Sequence, residues 1–300
     1  MRPQKTPNPE GTTMHESPTR RRFLKLAGAS AASLAALRCA GRPARAQQEP
    51  ADEKKATLTL GLASYSTRKF TLDETLEIAR RVRLEHICLK SFHLPLSATA
   101  EECAAARAKV EAAGLDLYGG GVIRMADEEE ARRAFDYAKA AGMRTIIGVP
   151  APPVLPLVNE LVQKYDIRVA IHNHGPGDKT YPTPETAIER IKDLDPRIGL
   201  CIDVGHTVRA GACPIEDAKR FAERLHDVHM KDVSEAAPGG KEVEVGRGVV
   251  DVPGFLAALL ETGYSGVVAF EYEKDPKNLL PGLAESVGYV RGVLAALARG

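Results

Sequence analysis

Four short apolar runs in the second half of the chain each end in residues able to ligate a metal or move a proton. RVAIHNHGPGD ends in His172 and His174, RIGLCIDVGH in Asp203 and His206, LHDVHMKDV in His229, Lys231 and Asp232, and GVVAFEYE in Glu271 and Glu273. Five of the chain's eight histidines lie in these runs. A single histidine of this kind reads as a satisfied loop residue. Four successive buried strands with polar residues at the same edge describe a parallel barrel whose active site lies at the strand C-terminal ends.

The rest of the chain keeps the same alternation. Strand-like runs are expected at 57–64, 86–90, 115–123, 144–149, 167–173, 198–204, 226–233 and 266–273. Helical segments lie between them. The first two start at Thr71 and Thr99, each with a glutamate three residues on, the spacing of a capping box. The third opens in the acidic run at Asp127 and stops at Gly142, the fourth covers Val154 to Lys164, and the fifth lies near Glu185 to Leu194. The sixth starts at Pro214 and the seventh at Asp251, and the eighth is the apolar C-terminal stretch. The strands are near-continuous Val/Ile/Leu runs, as in parallel sheets covered on both faces. Eight strand–helix units in this length fit a single-domain (β/α)8 TIM barrel over residues 57–300. Tryptophan is absent and aromatics make up 5% of the chain, so its core must be aliphatic.

The N-terminus reads as an export leader. Thr19-Arg20-Arg21-Arg22-Phe23-Leu24-Lys25 fits the twin-arginine pattern, a small-residue apolar stretch follows, and Ala44-Arg45-Ala46 supplies a cleavage site. Residues 1–46 are expected to be removed and 47–56 to form a flexible linker. The product would be periplasmic or otherwise exported, without stable membrane insertion. Arg38 stands where a lipoprotein needs a small residue before Cys39. Of 41 basic and 40 acidic residues, the leader takes nine and two. The remaining 32 and 38 give a net charge of −6, which argues against a nucleic-acid partner. The four remaining cysteines match no zinc ribbon, and Cys88 and Cys201 sit in apolar runs as small core residues.

Side chains two apart on a strand share a face. His172 and His174, His229 and Lys231, and Glu271 and Glu273 are such pairs. Asp203, His229 and Glu271 fall on three neighbouring strands, and His172 on the strand before them adds a fourth ligand. Two imidazoles and two carboxylates suit one divalent ion, Mn²⁺, Co²⁺, Zn²⁺ or Fe²⁺. An internal salt-bridge network is the alternative for such a set. Lys90 and His93 follow the second strand at the same rim. Lys90 there either binds a substrate oxygen or acts as a base if desolvated, or is a solvated loop residue. Gly119-Gly120-Gly121 either admits substrate to the backbone or makes a tight barrel bend.

IGLCIDVGH, DVHMKD, VEVGRGVVDVPGFLAAL and GVVAFEYE resemble the xylose isomerase-like TIM barrel superfamily, and the resemblance extends over the whole of residues 57–300. That group includes sugar-phosphate isomerases and epimerases, tagatose/psicose 3-epimerases, hydroxypyruvate isomerases, inosose dehydratases and endonuclease IV. In its epimerases one metal is held by Glu, Asp, His and Glu, and the two glutamates shuttle protons. The resemblance implies Asp203, His229 and Glu271 as the last three ligands, His206 as a substrate-binding residue, and Arg247 in a segment that approaches substrate. At the first ligand the epimerases carry Glu in an E-N-H sequence, where this chain has His172-Asn173-His174. A two-glutamate proton relay cannot run unchanged on that set. Related chemistry starting from the same proton abstraction remains, including β-elimination as in the dehydratases and in lyases that open 3-keto-glycosides.

The expectation is a metal-dependent enzyme on a sugar or keto-sugar that takes the proton α to a carbonyl. His172, Asp203, His229 and Glu271 would hold the metal, with Glu271, His174 and Lys90 as candidate acid–base groups. His93, His206, Lys231 and Arg247 would contact substrate. Either His172 or His174 could be the ligand, the other then being free as a base. A sugar-binding protein without turnover is the reading from another class.

Overall fold

The structure, a computed structural model, describes residues 57–299, so the expected leader, its expected cleavage site and the expected linker through residue 56 lie outside the described residues. Eight parallel strands close into a barrel: β1 (Thr59–Ala63), β2 (His86–Leu89), β3 (Asp116–Met125), β4 (Thr145–Pro150), β5 (Arg168–His172), β6 (Ile198–Asp203), β7 (Leu225–Met230) and β10 (Val267–Phe270), which pairs back onto β1. A two-stranded hairpin, β8 (Asp232–Val233) with β9 (Glu242–Val243), stands beside it. The helices are α1 (Leu72–Arg81), α2 (Ala100–Ala112), α3 (Glu128–Ala141), α4 (Leu155–Tyr165), α5 (Pro184–Ile191), α6 (Val204–Arg209), α7 (Pro214–Arg220), α8 (Val252–Glu261) and α9 (Leu280–Leu297). None of the described helices is long and apolar enough to cross a membrane.

Local chemistry sets the helix ends. Thr71 with Glu74 and Thr99 with Glu102 form complete capping boxes at α1 and α2. Asp127 caps α3, and Gly142 ends it at a φ of 69°, where a side chain would be strained. The core has two shells. Most apolar side chains pack between the helices and the outside of the sheet. The barrel interior is filled by small or slender residues, among them Ala63, Cys88, Ala170, Cys201 and Ala269, with Tyr118 and Ile147. Cys88 and Cys201 are buried there with free thiols, as the sequence suggested.

Gly119 and Gly121 answer to close strand approach. A Cβ would stand 2.9 Å from the Thr145 carbonyl oxygen at the first, and within 2.3 Å of the Ile147 carbonyl at the second. The register between β3 and β4 shifts just after Gly121.

Three boundaries depart from the sequence expectation. The eighth barrel strand stops at Phe270 rather than Glu273, because Tyr272 N–H turns to Ser66 Oγ and Glu273 N–H to Glu242 Oε1. The seventh stops at Met230, and Asp232–Val233 leaves the barrel to pair with β9. The Asp232 carboxylate accepts four backbone N–H bonds, from Val233, Gly246, Gly248 and Val250. It is thereby committed to shaping the 244–250 loop. The unforeseen α6 begins directly at the end of β6, where Asp203 Oδ1 accepts from His206 N–H at 2.7 Å as its cap.

Candidate active site

Strand register brings the chemistry together. His172 pairs with Cys201, and Asp203 with His229, across adjacent strands. Their side chains converge with Glu271 on the barrel axis, and all four are buried. His172 Nε2 lies 3.1 Å from His229 Nδ1, 3.5 Å from Asp203 Oδ2 and 4.0 Å from Glu271 Oε2. His229 Nδ1 is 3.4 Å from Glu271 Oε2. One ligand atom from each of the four lies within 4.8 Å of the others. Donor atoms about 2.1 Å from one ion stand roughly 3–4 Å apart, so this set fits a single divalent cation. Asp203 Oδ2 is buried and accepts no well-directed hydrogen bond. Of the two adjacent histidines, His172 points into this set and His174 does not belong to it.

Lys231 reaches the same carboxylates. Its Nζ is 3.2 Å from Asp203 Oδ2, 2.9 Å from Glu271 Oε2 and 2.5 Å from Glu273 Oε1. Burial opposes its charge, but the three carboxylates outweigh burial and raise its pKa. Burial likewise opposes ionisation of Glu271, yet Lys231 and His229 hold its carboxyl well below the usual range. His172 is pushed down to about 3 by burial and so is neutral, as a ligand must be. For His229, burial is outweighed by Glu271, and the pKa is raised.

Above the cluster opens a cavity of about 330 Å³, lined by Tyr65, Lys90, Val122, His172, His174, His206, Glu271 and Glu273. This is the low end of the size range for small-molecule sites. Lys90 Nζ donates to the Val122 carbonyl, and burial lowers its pKa. His174 has its Nδ1 3.5 Å from Asp178 Oδ2, and burial first, then His206, lowers its pKa. It is a neutral imidazole beside the cluster.

Three expected substrate contacts are not placed at this wall. His93 is turned inward, its Nδ1 2.9 Å from Ser64 Oγ and its Nε2 3.1 Å from both Thr75 Oγ1 and the Phe70 carbonyl. Arg247 is on the surface in a two-point ion pair with Glu285. Lys231 is 3% exposed and is not itself in the lining, being drawn onto Glu271 and Glu273, which are. Lys90, His174 and His206 do line it.

Sequence reasoning missed two supports. Asn173 accepts Asp203 N–H at its Oδ1 and donates to Thr207 Oγ1, which ties the end of β5 to the β6–α6 turn. Asp227 sits beneath His229 in the barrel interior, pushed up to about 7 by burial. Its position two residues before His229, on the same face of β7, was the available signal.

Comparison with known proteins agrees with this architecture. The family described as xylose isomerase-like TIM barrel matches residues 84–293. The rhizopine catabolism protein MocC of Rhizobium meliloti is 28% identical over 157 residues, 47% of this chain and 47% of that protein. An inosose dehydratase of Bacillus anthracis is 31% identical over 137 residues, 40% of this chain and 45% of that one. The matched stretches thus span about half the length of these relatives. The structure of the IOLI protein with a bound zinc atom superposes with a TM-score of 0.66 at 17% identity, covering 80% of this chain and 99% of that one, a likeness of fold. The closed eight-stranded barrel and the match over residues 84–293 together place the chain in the xylose isomerase-like TIM barrel family.

Proposed function

We propose that this protein is a divalent-metal-dependent enzyme that removes a proton α to the carbonyl of a sugar or keto-sugar. The carrying observation is the buried His172–Asp203–His229–Glu271 set lying directly under a sugar-sized cavity. A cation bound by these four would act as a Lewis acid toward adjacent substrate oxygens. The chain's own residues then divide the remaining work. His174, neutral and outside the ligand set, is the base best placed to take the α-proton, with Asp178 behind it to stabilise the imidazolium. Lys90 enters from β2, on another side of the barrel mouth, and donates a proton or a hydrogen bond to an oxygen of the bound sugar. Glu271 is less suited to proton transfer, because Lys231 holds its charge.

Two fates follow abstraction: return of a proton to carbon, as in isomerases and epimerases, or expulsion of a β-oxygen. The second reading is favoured by His172. With an imidazole at this position, the chain lacks the pair of glutamates on which a symmetrical proton relay depends. The partial relatedness to inosose dehydratases agrees with elimination. The test is incubation of zinc-, manganese- or cobalt-loaded protein with aldoses, ketoses and 3-keto-glycosides in D₂O. Deuterium in recovered sugar supports isomerase or epimerase chemistry, and an unsaturated product with a released alcohol or water supports the lyase. Binding of metal and of one of these sugars without either outcome would favour a binding protein. We propose further that residues 1–46 direct twin-arginine export, which the order of Arg20-Arg21-Arg22, the apolar stretch and the Ala44-Arg45-Ala46 site supports.

A further inference from the structure

Beneath the ligand set, the barrel interior is built of small apolar residues and thiols, yet it contains a fully buried carboxyl, Asp227. Such a group is retained at a cost in desolvation and calls for a partner. Its Oδ1 accepts a hydrogen bond at 3.2 Å from Tyr118 Oη, and its Oδ2 lies 3.5 Å from Cys201 Sγ. Tyr118 belongs to β3, four strands away from β7 around the barrel, so its ring reaches across the axis to this carboxyl. Asp227 Oδ2 is also 3.6 Å from His229 Nε2. That nitrogen is buried and makes no hydrogen bond, while the other, Nδ1, faces His172 and Glu271. The 3.6 Å gap is just beyond hydrogen-bonding reach, so the bond requires a small rotation of the ring or carboxylate.

We propose that Asp227 is a positioning residue for the metal centre: it accepts a hydrogen bond from the Nε2–H of His229, committing the ring proton to Nε2 and leaving the Nδ1 lone pair for the cation, while Tyr118 fixes the carboxylate. An imidazole ligand is a good donor only in the tautomer that leaves the ligating nitrogen bare, and a carboxylate on the far nitrogen selects that tautomer and orients the ring. Register makes the arrangement possible. Asp227 and His229 are two apart on β7 and so share the inward face, and Asp227 pairs with Cys201 and Val267 on the flanking strands. The apolar layer of the interior includes the small side chains Ala63, Ala170 and Ala269, which take up little of its volume. This inference rests on the reading that His172, Asp203, His229 and Glu271 hold a divalent cation.

The test uses the full chain and zinc(II). Zinc affinity is measured by competition with a chromogenic chelator for the wild type, for Asp227→Leu, and for Asp227→Leu combined with Tyr118→Phe. The double variant removes both polar partners together and keeps the interior apolar, so a folding defect of the single variant does not decide the matter. Expected is a loss of zinc affinity of about 10–100-fold in both variants, with a melting temperature of the double variant no lower than that of the wild type. In zinc-loaded wild type with ¹⁵N-labelled histidine, His229 is expected to carry zinc on Nδ1 and a slowly exchanging, downfield Nε2–H proton. Affinity of the folded double variant within twofold of wild type, or zinc on Nε2 of His229, would overturn the positioning role and leave the metal reading standing. Absence of zinc binding by the wild type would overturn the metal reading and this inference with it.

Discussion

Lys231 Nζ lies 2.9 Å from Glu271 Oε2, with both side chains buried at the centre of the barrel mouth. The same ammonium contacts Asp203, so two of the four candidate ligands share one internal cation. That ammonium offsets part of the negative charge of the set and competes for the oxygens a metal would use. Replacing Lys231 with Met leaves carboxylates buried without their partner, a change that costs about 3–5 kcal/mol in folded proteins. Lys231→Met should therefore melt at lower temperature without metal and gain more from added zinc than the wild type does. Equal zinc-induced shifts of the melting temperature in the two proteins would contradict this account.

Asp203→Ala, His229→Ala and Glu271→Ala should each lower the zinc bound per chain. Lewis-acid assistance is worth several kcal/mol, so turnover should fall at least about a hundredfold. Metal analysis alongside kinetics checks this. A chelated wild type with full activity would remove the metal from the mechanism.

His172→Glu restores a second glutamate at the position where the family's epimerases carry one. Metal binding should persist, because a carboxylate is also a competent ligand. Exchange of the substrate α-proton with D₂O should increase relative to elimination. If His172 only ligates, His174→Gln should abolish exchange in the otherwise wild-type protein. Exchange surviving in His174→Gln would show that another group takes the proton.

His226 supplies a pH dependence away from the site. Its Nε2–H donates to the Pro196 carbonyl, and burial pushes its pKa down to about 4 from the ordinary 6.5. Between these two values the unfolded chain binds a proton that the folded chain refuses. The stability present above pH 6.5 is thus lost as the pH falls toward 4. The ring is partly exposed, which reduces the effect to about 1–2 kcal/mol. His226→Gln, which keeps an N–H donor, should show a shallower loss of denaturant stability between pH 7 and 4.5. Parallel curves for the two proteins would refute the assignment.

Arg20→Lys, Arg21→Lys and Arg22→Lys together should trap the precursor in the cytoplasm. All three are changed because any adjacent two can re-form the arginine pair. Cell fractionation reads the outcome, and undiminished export of the triple variant would refute twin-arginine transport.

Much of this architecture was legible in the linear order of residues, for reasons that are local. Capping boxes at Thr71 and Thr99 act over three residues, the glycine stop at Gly142 acts on one, and apolar runs mark buried parallel strands wherever they occur. The convergence of His172, Asp203, His229 and Glu271 followed from strand alternation once the barrel was granted, because neighbouring strand ends meet at one rim. Depth and direction were decided only by tertiary structure. Nothing local distinguishes Lys231, drawn down onto three carboxylates, from Lys90 at the cavity wall. His93 looked like a rim residue until Ser64, Thr75 and Phe70 supplied its partners. Asp227 carries no local mark of its own in the sequence, yet closure of the barrel brings Tyr118 to it from the opposite wall. Charge and hydrogen-bond partners separated by a hundred residues are set by how the sheet closes, whereas caps, turns and periodicity are set within a single element.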